Sequence, residues 1–424
     1  MLLPIVMWVA PTAAQQALTK EIIAEVVADT NRYITENYVF PEKAGAITAK
    51  LSESLASGRY AVDDPVRLAA LLTQDMQAVT NDGHMNVKYR PASASPGGSP
   101  SGGNAIANFF ANAAMTSNYG VPEMKVLPGN VRYVSLAPYW MWDPERSPKA
   151  LDDAMRFLKG GDAYIIDIRS NSGGSPAAVR YVISHIMDPG TKLMDYRLRR
   201  EPPSESRTEA VPEGRLDKPL YVLIGPGDAS ASEEFVAHIK NFKLGTLVGG
   251  HTAGAGNRNH LYTTKDFVVS VSIGTAIHPV TNQGWEGTGF APDIAVPVAQ
   301  ALDVAHLEAL NKLKANANGA RLADLQWQID LVAAQAKPVK LSQAELSGYA
   351  GSYGEQRKVI AEGGKLYWHN GLQQAEMLPF GNDLFGFVSG PNIRVKFDRQ
   401  GSKVTGVTEM PKMGKPQSFQ RSQS

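Results

Sequence analysis

At 424 residues the chain is too long for one hydrophobic core, so two or three domains are expected. An apolar content of 43% and a charged content of 20% are those of an ordinary soluble protein. The formal net charge of +1 excludes the basic field of a nucleic-acid binder, and the absence of cysteine excludes disulfides, thiolate metal sites and a cysteine nucleophile.

The opening MLLPIVMWVAPTAAQQ has an apolar run of about ten residues, too short to span a bilayer, followed by small residues near Ala13 and Ala14. An export signal over 1–14 is expected, and with it a periplasmic or secreted protein. No later stretch approaches transmembrane length, so no integral membrane span is expected. Residues 15–90 carry apolar positions at spacings of three and four in AEVVADTNRYI, AGAITAKLSESL and PVRLAALLTQDMQAV, the pattern of an N-terminal helical bundle. The turn-rich Asn81-Asp82-Gly83-His84 ends it, and Met85 to Tyr89 alternates like a strand. PASASPGGSPSGG then predicts a flexible loop over 91–103.

Residues 104–310 read as an α/β core. Strands are expected in VRYVSLAPY, at Ala163 to Ile168, Leu220 to Ile224, Thr246 to Val248, Phe267 to Ile273 and Ala291 to Val298. Helices are expected at Pro148 to Leu158 and in AAVRYVISHIM, which follows the Gly-rich RSNSGGSP. Ala301 to Ala336 is helical, with 311–337 taken as a connector. From 338 to 424, short alternating runs between Gly, Asn and Asp signals predict a small antiparallel β accessory domain.

The core is organised around LYVLIGPGDASASEEFVAHIKN, a buried strand, a small-residue turn and an amphipathic helix that begins near Ser230. Phe235, Ile239 and Phe242 share the apolar face, while Glu233, Glu234, His238 and Lys240 are placed towards water. Unpaired N–H groups and the positive helix end converge on Ser230, where an oxyanion would form. Spacing alone equally allows Ser230 or Ser232 to be a simple helix cap. No cluster of His, Asp and Glu has metal-ligand spacing, so neither metal nor cofactor is expected.

Four segments, NDGHM, DIRSNSGGSP, DASASEEF and GWEGTGFAPD, stand in order with YVFPEKA and NYG…LPGNVRYVSL. As a set they resemble the carboxyl-terminal processing and tricorn-core serine peptidases, most closely the branch with interphotoreceptor retinoid-binding-protein-like repeats, over roughly residues 18–310. The resemblance implies a crotonase-like ββα catalytic core, with Ser230 as nucleophile and the Ala231 N–H as one oxyanion donor. A second donor would come from the Gly173-Gly174 loop. The processing branch carries its base lysine in a Thr-x-Gly-Lys-Gly motif, but this chain has Thr252-Ala253-Gly254-Ala255-Gly256, with Ala255 in the lysine's place. His84 and Glu286 instead match the base and supporting carboxylate of the tricorn-like branch, with Gly83 where that branch has Ser. Asp167, Arg169 and Asn171 are read as braces for the Gly loop. Trp140, Trp142 and Trp285 are candidate lining for an apolar pocket.

About 45 residues separate His84 from Val131, too few for an inserted PDZ domain. The reading is a serine peptidase acting on a peptide or protein substrate, compatible with a homo-oligomer. A non-catalytic binder of retinoid, fatty acid or peptide and a serine esterase are the alternatives.

Overall fold

A computed structural model describes residues 18–91, 112–371, 373–387, 389–390 and 392–422. The export signal expected over 1–14 and, beyond Pro91, the loop expected over 91–103 lie outside these. The chain divides into two compact units, one of residues 1–124, 134–160 and 166–298, the other of 125–133, 161–165 and 299–424.

The first unit begins with α1 (Lys20–Asn37), α2 (Pro41–Ala56) and α3 (Pro65–Thr80). Thr19 caps α1 by accepting the Ile22 N–H. Asp64 caps α3 from the Val66 N–H, with Pro65 pre-set at the first helical position. The apolar stripes of the three helices meet in one core of Ile23, Val26, Ile34, Ile47, Leu51, Leu68, Leu72 and Met76, which also takes Val87, Phe267, Val269 and Val271 from the sheet beneath. At the end of α3, Asn81 turns left-handed with φ 51°.

In chain order there follow β1 (Asn86–Tyr89), β2 (Glu123–Leu127), β3 (Val131–Ser135), α4 (Ser147–Lys159), β4 (Ala163–Asp167), α5 (Pro176–Ser184), β5 (Lys192–Leu198) and β6 (Ser204–Arg207). Then come β7 (Leu220–Ile224), α6 (Ala231–Asn241), β8 (Thr246–Gly249), β9 (Asn257–Thr264), β10 (Phe267–Ile277) and β11 (Ile294–Ala295). One antiparallel sheet runs β1-β10-β5-β6, and β9 also pairs with β10. A second runs β11-β8-β7-β4-β3-β2, with β11, β8 and β7 parallel. All five residues of β7 are buried, as a continuous apolar strand covered on both faces requires.

Several expectations are revised. The last core strand is only two residues, Ile294–Ala295, because the neighbouring prolines cannot donate to a ladder. Strands β2, β5, β6 and β9 went unforeseen; they are short or rich in polar residues with exposed positions, and so lack a clean alternation. On α6, Glu233, Glu234 and His238 do not face water but are buried. The helix is covered on its polar side too, and the acids find donors there.

The second unit contains α7 (Ala301–Ala315) and α8 (Gly319–Ala336), so the single helical stretch expected over 301–336 is broken at Asn316 to Asn318, just before Gly319 with φ +50°. A capping box of Ser342 and Glu345 starts α9 (Gln343–Tyr349). Eight antiparallel strands, from β12 (Gly351–Tyr353) to β19 (Gln417–Gln420), pair consecutively. A bridge between Tyr353 and Arg421 and a 2.9 Å bond from the Gly354 N–H to the Gln420 carbonyl draw the ends together into a near-barrel. Its interior is filled by side chains, among them Tyr353, Trp368, Phe385 and Phe397, as an eight-stranded barrel allows.

Leu223, fully buried in β7, sits at the centre of the frame that carries the serine turn. Leu223→Ala is expected to cost about 2–5 kcal/mol, read as a lowered urea midpoint with an unchanged slope for the transition of the first unit.

Candidate active site

Between β7 and α6 the chain makes the Gly225-Pro226-Gly227-Asp228 turn. The Asp228 carboxylate accepts the Gly225 N–H at 2.8 Å and the Asn171 N–H at 3.1 Å, tying this turn to the Gly loop. Burial pushes its carboxyl up to about 8. Ser230 then takes φ 56°, ψ −123°, a conformation that costs a non-glycine residue about 1–3 kcal/mol. Its side chain makes no capping bond. Its N–H donates to the Ala255 carbonyl at 2.9 Å. The hydroxyl is therefore not used as a helix cap.

The Gly loop lies against this serine. A Cβ on Gly173 would meet the Ala229 carbonyl oxygen at 2.8 Å and Ser230 Cβ at 2.9 Å, so only glycine permits the approach. At Gly174, with φ +131°, a Cβ would run into the Trp140 backbone. Asn171 braces the loop by accepting the Gly173 N–H at 2.9 Å and donating to the Leu136 carbonyl at 2.6 Å. Arg169 is paired with Asp167 and bonds the Val298 carbonyl. The Gly173 N–H is thus occupied by the Asn171 side chain. The N–H groups of Gly174 and Ala231 have no partner among the described residues. With Ser230 they line one cleft of about 520 Å³, walled by Tyr196, Leu198, Thr275 and Trp285.

His84 enters from the turn after α3. Its Nδ1 lies 3.5 Å from Glu286 Oε2, an ion-pair contact longer than a good hydrogen bond. Glu286 is held by peptide groups: Oε1 accepts the Gly83 N–H at 2.8 Å, and Oε2 accepts those of Gly256 and Asn257 at 2.7 Å each. Gly83 thus supports the carboxylate through its backbone. Gly287, with φ +71°, has no side chain to hold off Asn81, so the His84 turn can close on the Glu286 loop. Asp82 completes the cluster, accepting the His84 N–H and the Asn257 amide, each at 2.9 Å. Glu233 accepts Thr252 Oγ1 and the N–H groups of Gly254 and Ala255, fixing the loop that ends beside Ser230.

A short contact path therefore joins the predicted residues: Ser230 bonds Ala255, the next residue Gly256 bonds Glu286, and Glu286 faces His84. Neither Lys243 nor Lys265 takes part, and Lys265 pairs with Glu25. Trp140 and Trp142 line a second hollow of about 950 Å³ that shares Gly174, while Trp285 belongs to the cleft at Ser230. Asp82, His84 and Glu286 place ligand-type atoms within 4.8 Å of one another, a proximity the sequence spacing did not show. Both carboxylates already accept N–H bonds through all their oxygens, so the polar contacts account for the cluster as it stands. Sequence reasoning missed Asp82 and Glu233 as site-building groups. Their closeness to His84 and Ser230 in the chain was the available signal.

The structure superposes on mature CPAF with a TM-score of 0.50 at 13% identity, covering 69% of this chain and 97% of that one, a likeness of fold. Residues 130–296 match the description "Peptidase family S41", and residues 12–117 match the "N-terminal domain of Peptidase_S41 in eukaryotic IRBP". The chain belongs to peptidase family S41. It is similar to the carboxyl-terminal-processing protease of a Synechocystis species, 36% identical over 108 residues, or 26% of this chain and 25% of the relative. With the carboxy-terminal processing protease CtpA of Bacillus subtilis it is 30% identical over 125 residues, 29% of this chain and 26% of that one. The matching stretch thus spans about a quarter of either relative's length.

Electrostatics bind the cluster. Burial opposes a charge on His84, but the Glu286 carboxylate, with Asp82 and Glu233 behind it, raises the imidazole above its ordinary value. Burial likewise works against Glu286, yet His84 and the N–H groups of Asn257 and Gly83 hold it below the usual carboxylate range. The raised His84 stabilises the fold below its ordinary 6.5 and loses that contribution as pH rises through the raised value. The lowered Glu286 contributes above its ordinary 4.5 and loses this as pH falls through the depressed value. The pair supports the fold most between 4.5 and 6.5. In Glu286→Gln the His84 titration, followed by NMR of the ring, is expected to move downward, and the stability deficit of the variant to be larger at pH 5.5 than at pH 9.

Proposed function

We propose that this chain is a serine peptidase that hydrolyses peptide bonds through an acyl-enzyme on Ser230. The observation that carries the reading is the strained, uncapped Ser230 on the same cleft as two N–H groups without a partner among the described residues, those of Ala231 and Gly174. His84 acts as general base. Its Nδ1 side is held by Glu286, which leaves Nε2 to take the Ser230 proton. Oγ attacks the substrate carbonyl, and the negative charge on the former carbonyl oxygen is received by the Ala231 and Gly174 amides. The imidazolium, stabilised by Glu286, gives its proton to the leaving amine. Water, activated by the same imidazole, then releases the acid and restores Ser230.

The names of the relatives, both processing proteases, favour peptides as substrates over esters or an apolar ligand merely held. In this reading the core over 104–310 is crotonase-like, flanked by the helical 15–90 and, through 311–337, by the accessory β domain of 338–424. The apolar opening at 1–14 directs export to the periplasm or outside. Among the described residues no helix is long and apolar enough to cross a membrane.

A fluorophosphonate should label Ser230, and Ser230→Ala should abolish labelling and lower kcat on peptides by about 10⁴–10⁶-fold with folding intact. Peptide turnover by Ser230→Ala at the parent's rate overturns the assignment. Because the base form of His84 is required and its value is raised, kcat/KM is expected to climb with pH along a limb centred above 6.5. A limb below that value would place the base elsewhere.

A further inference from the structure

We propose that Glu234 is a specificity-determining residue that makes the cleft beside Ser230 select a lysine or arginine side chain next to the scissile bond. The proposal rests on the serine peptidase reading for the word scissile, but not for the binding preference itself. Glu234 lies one helical turn beyond the serine, its N–H donating to the Ser230 carbonyl at 3.0 Å. It is only 3% exposed, yet it is part of the wall of the Ser230 cleft.

Its hydrogen bonding sets it apart from the other buried acids nearby. Glu233 and Glu286 each accept three bonds, Asp82 and Asp228 two each. Among the described residues Glu234 accepts one, from the Tyr196 hydroxyl at 2.7 Å. The Nε2 of His238 stands behind at 3.8 Å, too far for a hydrogen bond. Burial, reinforced by the Glu234 carboxylate, keeps the Tyr196 phenol above its ordinary value, so the hydroxyl remains a donor.

A desolvated carboxylate with so few partners is costly unless a cation joins it, and the open side of Glu234 is the cleft. Leu198, Ala276 and Trp285 supply apolar surface for the methylene stem of such a side chain. Two other charged residues line the cleft, Glu201 and Arg258, and both are exposed. Water and salt screen them, whereas the field of Glu234 acts at low dielectric and decides the preference.

Two peptides differing only in lysine or norleucine at the cleft residue test this. Bound to the full chain carrying Ser230→Ala, lysine should be favoured by about 100-fold. Adding Glu234→Gln, whose amide oxygen can still accept from Tyr196, should reduce the ratio to about twofold or less. The ratio of kcat/KM in the active protein should follow the same pattern, with the melting temperature of Glu234→Gln reporting that the fold is intact. Equal binding of both peptides, or a lysine preference that survives Glu234→Gln, overturns the proposal. Fluorophosphonate labelling of Ser230 in the parent reports the hydrolase reading separately, since the binding comparison needs no turnover.

Discussion

The buried carboxylate of Glu286 is the interaction on which the site depends. A charge withdrawn from water must find compensation, and Glu286 finds it in three peptide N–H groups from two segments remote in the chain and in the imidazole of His84. Gly83 closes a contact of 203 positions, and Gly256 and Asn257 close contacts of 30 and 29. One side chain thus holds together the turn after the helical region, the loop beside the serine and its own Gly-rich loop. Without it the imidazole would have no fixed orientation, and the Ala255 carbonyl that receives the Ser230 N–H would lose the anchor of its neighbour Gly256.

Strain and space form the second constraint. Ser230 is kept at positive φ because its surroundings over-determine it: Asp228 fixes the turn before it, Ala255 takes its N–H, and α6 begins immediately after. The residues around it are small for a steric reason. Gly173 touches the serine turn with its backbone, and Gly174 lies against Trp140. Together they bring a second amide to the cleft at which the Ala231 amide already points.

The surroundings of His84 are unusually acidic. Asp82, Glu233 and Glu286 surround His84, and Glu286 raises both other acids through like-charge repulsion in addition to burial. Together they favour the imidazolium form of His84. The same crowding explains why so many backbone N–H groups are turned inward here. Each loop segment that donates one lowers the cost of keeping the acids apart from water.

Much of this was legible in the chain itself, because it rests on short-range physics. Helical spacing marked α1 to α3, a continuous apolar run marked β7, Gly-Pro-Gly-Asp marked the turn, and alternation with turn signals marked the C-terminal strands. The resemblance built on His84, Gly173-Gly174, Ser230 and Glu286 named residues that the fold brings to one region. The loss of the lysine at Ala255 was equally readable. Other features were not. Periodicity sorts residues onto faces of α6 but does not say what covers each face, so Glu233, Glu234 and His238 were placed in water when they are buried. Which of the Gly173 and Gly174 amides is already hydrogen-bonded turns on where the Asn171 side chain points, and the pairing of Asp82 with Asn257 on a contact across 175 positions. The sequence by itself determined the strongly periodic elements, such as α1 to α3, β7 and the C-terminal strands, since these follow from neighbours within a few residues. Only the tertiary structure decided which amides stay unpaired, which acids are desolvated and which charge each titrating group faces, because those depend on burial and on partners supplied from distant parts of the chain.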